Sequence, residues 1–578
     1  MRTIGIGKQD YESIIMPDCF YVDKTNFIKE WWEAKDDVTL ITRPRRFGKT
    51  LNMSMLNCFF SNKYSGRGDL FEGLEIWEDE KYREIQGTYP VIFLSFASAK
   101  ETNIGDAKYR ICALISEIYE DNRYLLKGDL LSDNEKEQFL SVKAGMNPIG
   151  ASDAIKLLCG YMQRYYGKKV LILLDEYDTP LQEAYIEEYW NEMTGFMRSF
   201  FNSTFKTNPY LERAIMTGIT RVTYSTYMKF AEQTSNGSAL AETMFSDLNN
   251  LRIVSTTSNI YQDCFGFTEK EVFNALDEAG LSDKKEEVKR WYDGFTFGTH
   301  KDIYNPWSIT NFIKERKLKT YWVDTSSNGL ADKLIRSGSP EIKKSMEKLL
   351  NGESIIVEID EQIVFNQLDN NENAIWSLLL ACGYLKVENS ETCDINGKYE
   401  LKFTNLEVNV MFQKLIKDWF RATGATSNEF VNALLTGDIK AMNHYMNKIA
   451  LATFSYFDVG NKPSEYIEPE RFYHGFVLGL MVGEREKYII KSNRESGFGR
   501  YDIIMVPKEV KDKELPAIVI EFKVYDGEDE DNLKETVIAA HKQMEEKKYD
   551  DEILQFGIEK ERIKHYGFAF KGKKVLIG

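Results

Sequence analysis

Three short stretches of this chain carry residues that can do chemistry. The first is Gly48-Lys49-Thr50, which closes the octapeptide Arg43-Pro44-Arg45-Arg46-Phe47-Gly48-Lys49-Thr50. Gly48 lets the backbone turn closely around a phosphate, and N–H groups at a helix start point at the anion. Lys49 is expected to reach the β- and γ-phosphates of ATP, and the Thr50 hydroxyl to ligate Mg²⁺. The general phosphate-loop pattern has glycine at its first position, where this chain has Arg43. The second stretch is Val170-Leu171-Ile172-Leu173-Leu174, which runs directly into Asp175-Glu176. Asp175 is expected to hold Mg²⁺ through water, and Glu176 to act as the base that orients the attacking water. Thr217, in Thr217-Gly218-Ile219-Thr220-Arg221, is placed to meet the γ-phosphate or that water. Arg221 either stabilises phosphoryl charge or sits solvated at a strand-end turn. Arg45 and Arg46 either touch phosphate or form structural ion pairs.

The third stretch lies near the C-terminus, where Tyr501-Asp502 opens one apolar run and Glu521-Phe522-Lys523 closes another. Side chains alternate along a strand, so Glu521 and Lys523 share a face, and pairing of the two runs brings Asp502 beside Glu521. A Glu and a Lys turned in from an apolar strand are costly unless paired or ligating metal. Two carboxylates can hold Mg²⁺, which activates a water and neutralises a scissile phosphate, with Lys523 positioning the water or stabilising the phosphorus. Glu470, on a preceding helix, is expected to add or orient a ligand. Gln543, on a following helix, is expected to bind water or phosphate. A structural Glu–Lys pair at a strand end is the competing reading.

The elements that must position these groups follow from periodicity. Val38–Ile41, Val91–Phe96, Val170–Leu174 and Ala214–Gly218 read as strands alternating with helices, which points to an α/β layered domain with a parallel sheet. Residues from about 260 to 345 read as helical and aromatic. Residues 346–460 read mostly as helices with a strand pair at Tyr384–Val387 and Tyr399–Phe403; a plain connecting bundle is the preferred reading there and a winged helix the alternative. Strands at Tyr488–Lys491, Tyr501–Val506, Ala517–Val524 and Ile563–Phe570 flank a helix near Asn532–Lys548. The expected domains are 1–255, 256–345, 346–460 and 461–578.

Composition bounds the rest. The chain has 578 residues, 43% hydrophobic and 28% charged, with a net charge of −16. That balance excludes a protein that coats nucleic acid by global charge, though not one with a local basic groove. The seven cysteines show no zinc spacing and are expected as buried free thiols in a reducing compartment. No signal peptide and no run of roughly 18–20 apolar residues is present, so the expectation is a cytoplasmic protein that does not enter a membrane.

These residues carry a resemblance. Tyr21-Val22-Asp23-Lys24-Thr25, the Arg43–Asn52 stretch, Leu174-Asp175-Glu176-Tyr177-Asp178, Thr217-Gly218-Ile219, Leu248-Asn249-Asn250 and Trp291-Tyr292-Asp293-Gly294-Phe295 resemble bacterial AAA-ATPase-like proteins. In that family Arg also takes the first position of the loop. Phe472-Tyr473-His474, Gly499-Arg500-Tyr501-Asp502 and Glu521-Phe522-Lys523 resemble the PD-(D/E)XK nuclease-like domain with which those proteins end, although Tyr501 stands where the signature has Pro. The resemblance implies a P-loop ATPase domain, a helical middle and a restriction-endonuclease-like C-terminal domain. It implies Asp502, Glu521 and Lys523 as the core site, with Glu470 beside them.

The leading expectation is an ATP-regulated DNA or RNA endonuclease, with Asp23, Lys24, Arg45 and Arg46 helping to form the nucleotide pocket and the chain forming homo-oligomers. The alternatives are a signalling or regulatory ATPase whose C-terminal domain grips nucleic acid or a protein without cutting, and a nuclease with a purely structural nucleotide site. Trp291, Tyr292 and Trp307 are expected in a core rather than stacked on bases.

Overall fold

The computed structural model describes residues 2–220, 222–223, 245, 248–322, 331, 334–335, 340–350, 352–359, 363–364, 368, 372–389, 398–421, 427–453, 477, 480–481, 484, 487–496, 499–510, 515–525, 530, 532–571 and 574–578. Its contacts divide the chain into two compact units, residues 1–334 with 354–408, and residues 335–353 with 409–578. No described helix is long and apolar enough to cross a membrane.

In the first unit a parallel sheet is built from β1 (Val38–Thr42), β2 (Val91–Ser95), β3 (Val170–Asp175), β4 (Leu211–Gly218) and β5 (Leu251–Val254), in the order β2-β3-β4-β1-β5. Every residue of β1 and β3 is buried, which is why β3 reads as an unbroken apolar run to Leu174 and β1 as a short β-branched one. The order places β4 between β1 and β3, with Ile41 paired to Thr217 and Leu174 to Met216. The carboxyl ends of β1, β4 and β3 therefore meet at one rim of the sheet. Helix α1 (Lys49–Phe60) leaves that rim after β1, and α2 (Thr179–Ile186) leaves it after β3. The fifth strand, β5, escapes a reading by apolar run length, since its sequence is Leu-Arg-Ile-Val.

Further along the first unit, Val272, Leu276, Val288, Tyr292, Ile309 and Phe312 form a separate helical core that includes α3 (Pro306–Glu315). Residues 354–408 belong to the same unit. They contain β6 (Ile355–Glu358), α4 (Glu372–Ala381), β7 (Leu385–Asn389) and β8 (Lys398–Phe403). The strands form an antiparallel sheet in the order β6-β8-β7, so the strand pair anticipated at 384–387 and 399–403 is present and gains β6, which precedes α4, as a third strand. The helical pattern hid β6, whose residues lie outside the anticipated strand pair. After α4 the chain passes Gly383 at φ +83°, where a Cβ would stand 2.8 Å from Cγ of Pro44 in the phosphate loop. Only glycine fits that crossing.

The second unit holds α5 (Ser427–Thr436), α6 (Ile439–Thr453), β9 (Tyr488–Ser496), β10 (Gly499–Pro507), β11 (Ala517–Val524), α7 (Leu533–Glu546), α8 (Asp550–Gln555), β12 (Ile563–Lys571) and β13 (Lys574–Ile577). The strands follow chain order in the sheet, with β11 and β12 parallel and joined through α7, and all other neighbours antiparallel. Alternation sorts the core onto two faces. Ile503, Met505, Ile518, Ile520 and Phe522 pack with Phe430 and Met442 of the α5–α6 pair. Ile504, Val506, Ala517 and Val519 pack with Met544, Tyr549 and Ile553. Each such side chain, fully buried, contributes about 1.5–3 kcal/mol.

The edge strand β13 is closed by two asparagines one helical turn apart on α6. Asn443 bonds the Ile577 carbonyl (2.8 Å) and amide (2.8 Å), and Asn447 bonds the Val575 carbonyl (2.7 Å) and amide (3.0 Å). Each carboxamide acts as one more peptide group and covers backbone that would otherwise invite edge pairing. Residues 346–460 are thus divided between the units, and the helices from 427 to 453 complete the C-terminal core.

Candidate active sites

The loop between β1 and α1 presents an arc of amides. Arg46 and Gly48 take positive φ (66° and 82°), which curls the backbone. Among the described residues, the N–H groups of Arg45, Arg46, Phe47, Gly48, Lys49 and Thr50 donate to no protein acceptor. The loop carbonyls, by contrast, are engaged. Arg45 O accepts from Asn305 Nδ2 (3.3 Å) and Trp322 Nε1 (3.1 Å), and Phe47 O from Gly266 N (3.2 Å). Donors left open at a helix start, with acceptors tied down behind them, make an anion-binding concavity.

Lys49 is buried and its Nζ donates to Arg43 O (2.9 Å) and Pro44 O (2.8 Å), inside the loop it would serve. Burial lowers its basicity, and Glu176, Asp175 and Asp178 oppose that shift. Asp175 is fully buried, and both its oxygens are taken by hydroxyls: Thr50 Oγ1 at 2.8 Å and Thr217 Oγ1 at 2.5 Å. Burial raises its pKa, while the two threonines lower it. Thr50, Asp175 and Thr217 therefore converge, although they come from three separate segments. A hydroxyl and a carboxylate oxygen in contact are a donor set of the hard kind that suits Mg²⁺. Glu176, next in sequence, sits at φ +51°, a strained conformation for a non-glycine residue, and accepts from Thr179 Oγ1 (3.2 Å).

A relay links this rim to the outer arginine. Asp178 Oδ2 accepts from the amides of Ile219 (2.9 Å) and Thr220 (3.1 Å), just past Thr217, and from Gln182 Nε2 (2.8 Å). Gln182 Oε1 accepts from Arg45 Nη2 (3.3 Å). Sequence reading passed over Asp178 and Gln182. The signal was there for Asp178, a third acid three residues after Asp175, just past a strand too apolar to end in a merely solvated loop.

Arg43 is the other surprise. It is fully buried, and its guanidinium donates to the carbonyls of Thr42 (2.9 Å), Val254 (3.4 Å), Ser255 (2.6 Å), Ile260 (3.3 Å) and Tyr261 (3.5 Å). It also lies over the Phe297 ring at 4.6 Å. Burial lowers its pKa to about 10. Where a general phosphate loop has glycine, this chain has a bolt that fixes the loop to the segment after β5.

In the second unit Asp502, Glu521 and Lys523 lie on one face of the sheet, the face covered by α7 and α8. Ile503 pairs with Ile520, and one step further the ladder opens as Asp502 Oδ2 accepts from Phe522 N (2.7 Å). That bond holds the Asp502 carboxylate beside Glu521. Glu521 is buried and accepts from Gln543 Nε2, which also reaches Tyr549 Oη at 3.2 Å. The Tyr549 hydroxyl has its pKa pushed up to about 12, by burial first and then by Glu521 and Asp502. Next to Glu521 on β12 is Gly567, where a Cβ would meet Ala540 Cβ and Val537 O of α7 at 3.0 Å. Glycine there lets α7 approach closely enough for Gln543 to touch Glu521. No group of three or more His, Cys, Asp or Glu side chains suited to metal occurs among the described residues. Two carboxylates are nonetheless a common share of Mg²⁺ ligation where phosphate and water supply the rest.

Comparison with family models finds two matches. Residues 5–227 match the AAA-ATPase-like model, described as a predicted AAA-ATPase, and residues 468–578 match that of the PD-(D/E)XK nuclease superfamily. The chain joins an AAA-ATPase-like domain to a PD-(D/E)XK nuclease domain. Among curated proteins, none matches it.

Within the AAA-ATPase-like domain the residues anticipated from sequence fall into two groups. Gly48, Lys49, Thr50, Asp175, Glu176 and Thr217 gather at the sheet rim, with Arg45 at its edge. Arg46 instead lays its guanidinium on the Trp307 ring at 4.5 Å. Asp23 accepts from Thr25 N (2.8 Å) and Glu75 N (2.8 Å), while Lys24 pairs with Glu271 (2.7 Å). Tyr292 is buried, and Trp291 and Trp307 pack at the margin of the helical core. Within the nuclease domain Asp502, Glu521 and Gln543 come together, and Lys523 shares their face of the sheet. Arg221 and Glu470 lie outside the described residues, as do Phe472-Tyr473-His474. Cys19, Cys58, Cys112, Cys159 and Cys264 are buried free thiols. Cys382 is free and half-buried, and Cys393 lies outside the described residues.

Proposed function

We propose that the chain is an ATP-regulated, Mg²⁺-dependent endonuclease acting on DNA or RNA in the cytoplasm, where its free cysteines stay reduced. The observation that carries the nuclease half is the convergence of Asp502, Glu521 and Lys523 on one face at the point where the β10–β11 ladder opens. When bound there, Mg²⁺ supplies an activated water and charge neutralisation at a phosphodiester. Asp502 and Glu521 are its ligands in this reading. Lys523 faces the scissile phosphate, and Gln543 fixes the rotamer of Glu521.

The ATP half is supported by the open amides of residues 45–50. Lys49 trades two loop carbonyls for the β- and γ-phosphates, and Thr50 with Asp175 holds Mg²⁺. Glu176 positions the attacking water. Thr217 and Arg45 face the γ-phosphate, the latter through the Gln182–Asp178 relay, with Arg46 and Arg221 as further contributors from the loop and the β4 end. Glu470 joins the nuclease ligands. Homo-oligomerisation is part of the proposal because such sites are often completed across subunits.

Calorimetric titration of the full chain with ATP and Mg²⁺, and separately with Mn²⁺, tests both halves. Lys49→Ala should abolish the nucleotide heat and leave Mn²⁺ binding intact. Glu521→Ala should do the reverse for the C-terminal metal. ATP binding that is indifferent to Lys49→Ala would count against the first half. A signalling ATPase that grips nucleic acid without cutting would show both binding events and no cleavage.

A further inference from the structure

The face that carries Asp502, Glu521 and Lys523 continues for two more rungs beyond the carboxylates. On the paired strands β11 and β12, Glu521 stands beside Gly567 and Lys523 beside Ala569. The ladder runs on past Val524, because Tyr525 N donates to Phe570 O at 2.8 Å, which sets Tyr525 beside Lys571. Lys571 Nζ rests on the Tyr525 ring at 3.8 Å from its centroid. On the other side Lys571 pairs directly with Lys574 of β13. Both lysines are exposed, and neither has an ion-pair partner among the described residues. Like charges directly opposite across an antiparallel pair are unfavourable unless an anion bridges them. Lysines on an edge strand often guard against edge-to-edge pairing. Here that need is already met, since Asn443 and Asn447 cover the open side of β13. The cluster is also out of keeping with a chain whose net charge is −16.

We propose that Tyr525, Lys571 and Lys574 form a subsite for the phosphodiester backbone of a nucleic acid strand, flanking the scissile phosphate. This rests on the nuclease reading above. Two residues of strand place Tyr525 about 7 Å beyond Lys523, roughly two steps of 3.4 Å along a nucleic acid strand. A strand whose phosphate lies against Lys523 thus meets Lys571 and Lys574 with a phosphate about two nucleotides away, while the Tyr525 ring offers a stacking surface to an unpaired base. The subsite contacts backbone and ring faces, so it contributes affinity and register without sequence preference.

The test uses the full chain and a fluorescein-labelled oligonucleotide, single- and double-stranded in separate arms. Binding is measured by anisotropy in a Glu521→Ala background as salt is varied, and KM and kcat for Mg²⁺-dependent cleavage are measured with Glu521 intact. Lys571→Ala/Lys574→Ala should make the slope of log affinity against log salt shallower by about 1.5 and raise KM about 10-fold, with kcat retained. Tyr525→Leu should weaken binding of the single-stranded arm more than the duplex. An unchanged salt slope and KM, in protein that still cleaves, would overturn the subsite and leave the nuclease reading standing. Parent protein that neither binds nor cleaves either arm would overturn both.

Discussion

At the scale of single residues, the informative position is the one that departs from a general pattern. Arg43 replaces the first glycine of the phosphate loop, yet its guanidinium turns away from the phosphate side and gathers carbonyls from β1 and from the segment after β5. Reverting it to the general pattern should therefore harm the protein. Arg43→Gly leaves buried carbonyls without donors, at about 1–3 kcal/mol for each group stranded, and should lower the thermal midpoint by several degrees in a melt followed by circular dichroism. A midpoint equal to the parent's would mean the bolt is idle. The placement of Lys49, Thr50, Asp175, Asp502, Glu521 and Lys523 could be read from the sequence because each stands at a fixed spacing from a strand. The roles of Arg43, Gln182 and Tyr549 could not, because what they do depends on burial and on partners set by the fold. The partners of Asp23 and Lys24, at Glu75 and Glu271, are likewise invisible to local spacing.

Among elements, those with a clean period were legible and those defined by their neighbours were not. The buried strands β1 and β3 and the span of β11 follow from apolar runs, whereas β5, β6 and β13 are short and mixed in composition, and their pairing partners decide them. The helices α5 and α6 looked like connector because amphipathic helices do not announce what they cover. Their asparagines make the assignment testable: Asn443→Ala/Asn447→Ala strips four hydrogen bonds from β13 and should cost about 2–6 kcal/mol at about 0.5–1.5 kcal/mol per bond. Light scattering on mild heating should show earlier aggregation, since an open edge is exposed; unchanged aggregation would show the clasp to be dispensable. In the helical core, Asp293 has its carboxyl pushed up to about 7, by burial first and then by Asp302. A carboxyl raised above its unfolded value of 3.8 gives stability that is full below that value and is lost as pH rises through about 7. The parent should thus lose thermal stability between pH 4 and 7 on this account, and Asp293→Asn should flatten that loss. An identical pH profile in the variant would contradict it.

On the scale of the whole molecule, two sites of unlike chemistry share a single chain, an amide-lined loop with Thr50 and Asp175 in one unit and a pair of carboxylates with a lysine in the other. Under the proposed function, their joint presence makes ATP state the regulator of cutting. The account predicts that Lys49→Ala changes the rate of cleavage without touching any group on the nuclease face. The most direct test is a cleavage panel of single- and double-stranded DNA and RNA with Mg²⁺, run with and without ATP on the parent chain, Glu521→Ala and Lys49→Ala. The account predicts cleavage of at least one substrate by the parent, none by Glu521→Ala, and a rate that responds to ATP in the parent and not in Lys49→Ala. Intact substrates throughout, or cleavage by Glu521→Ala at the parent's rate, would contradict it.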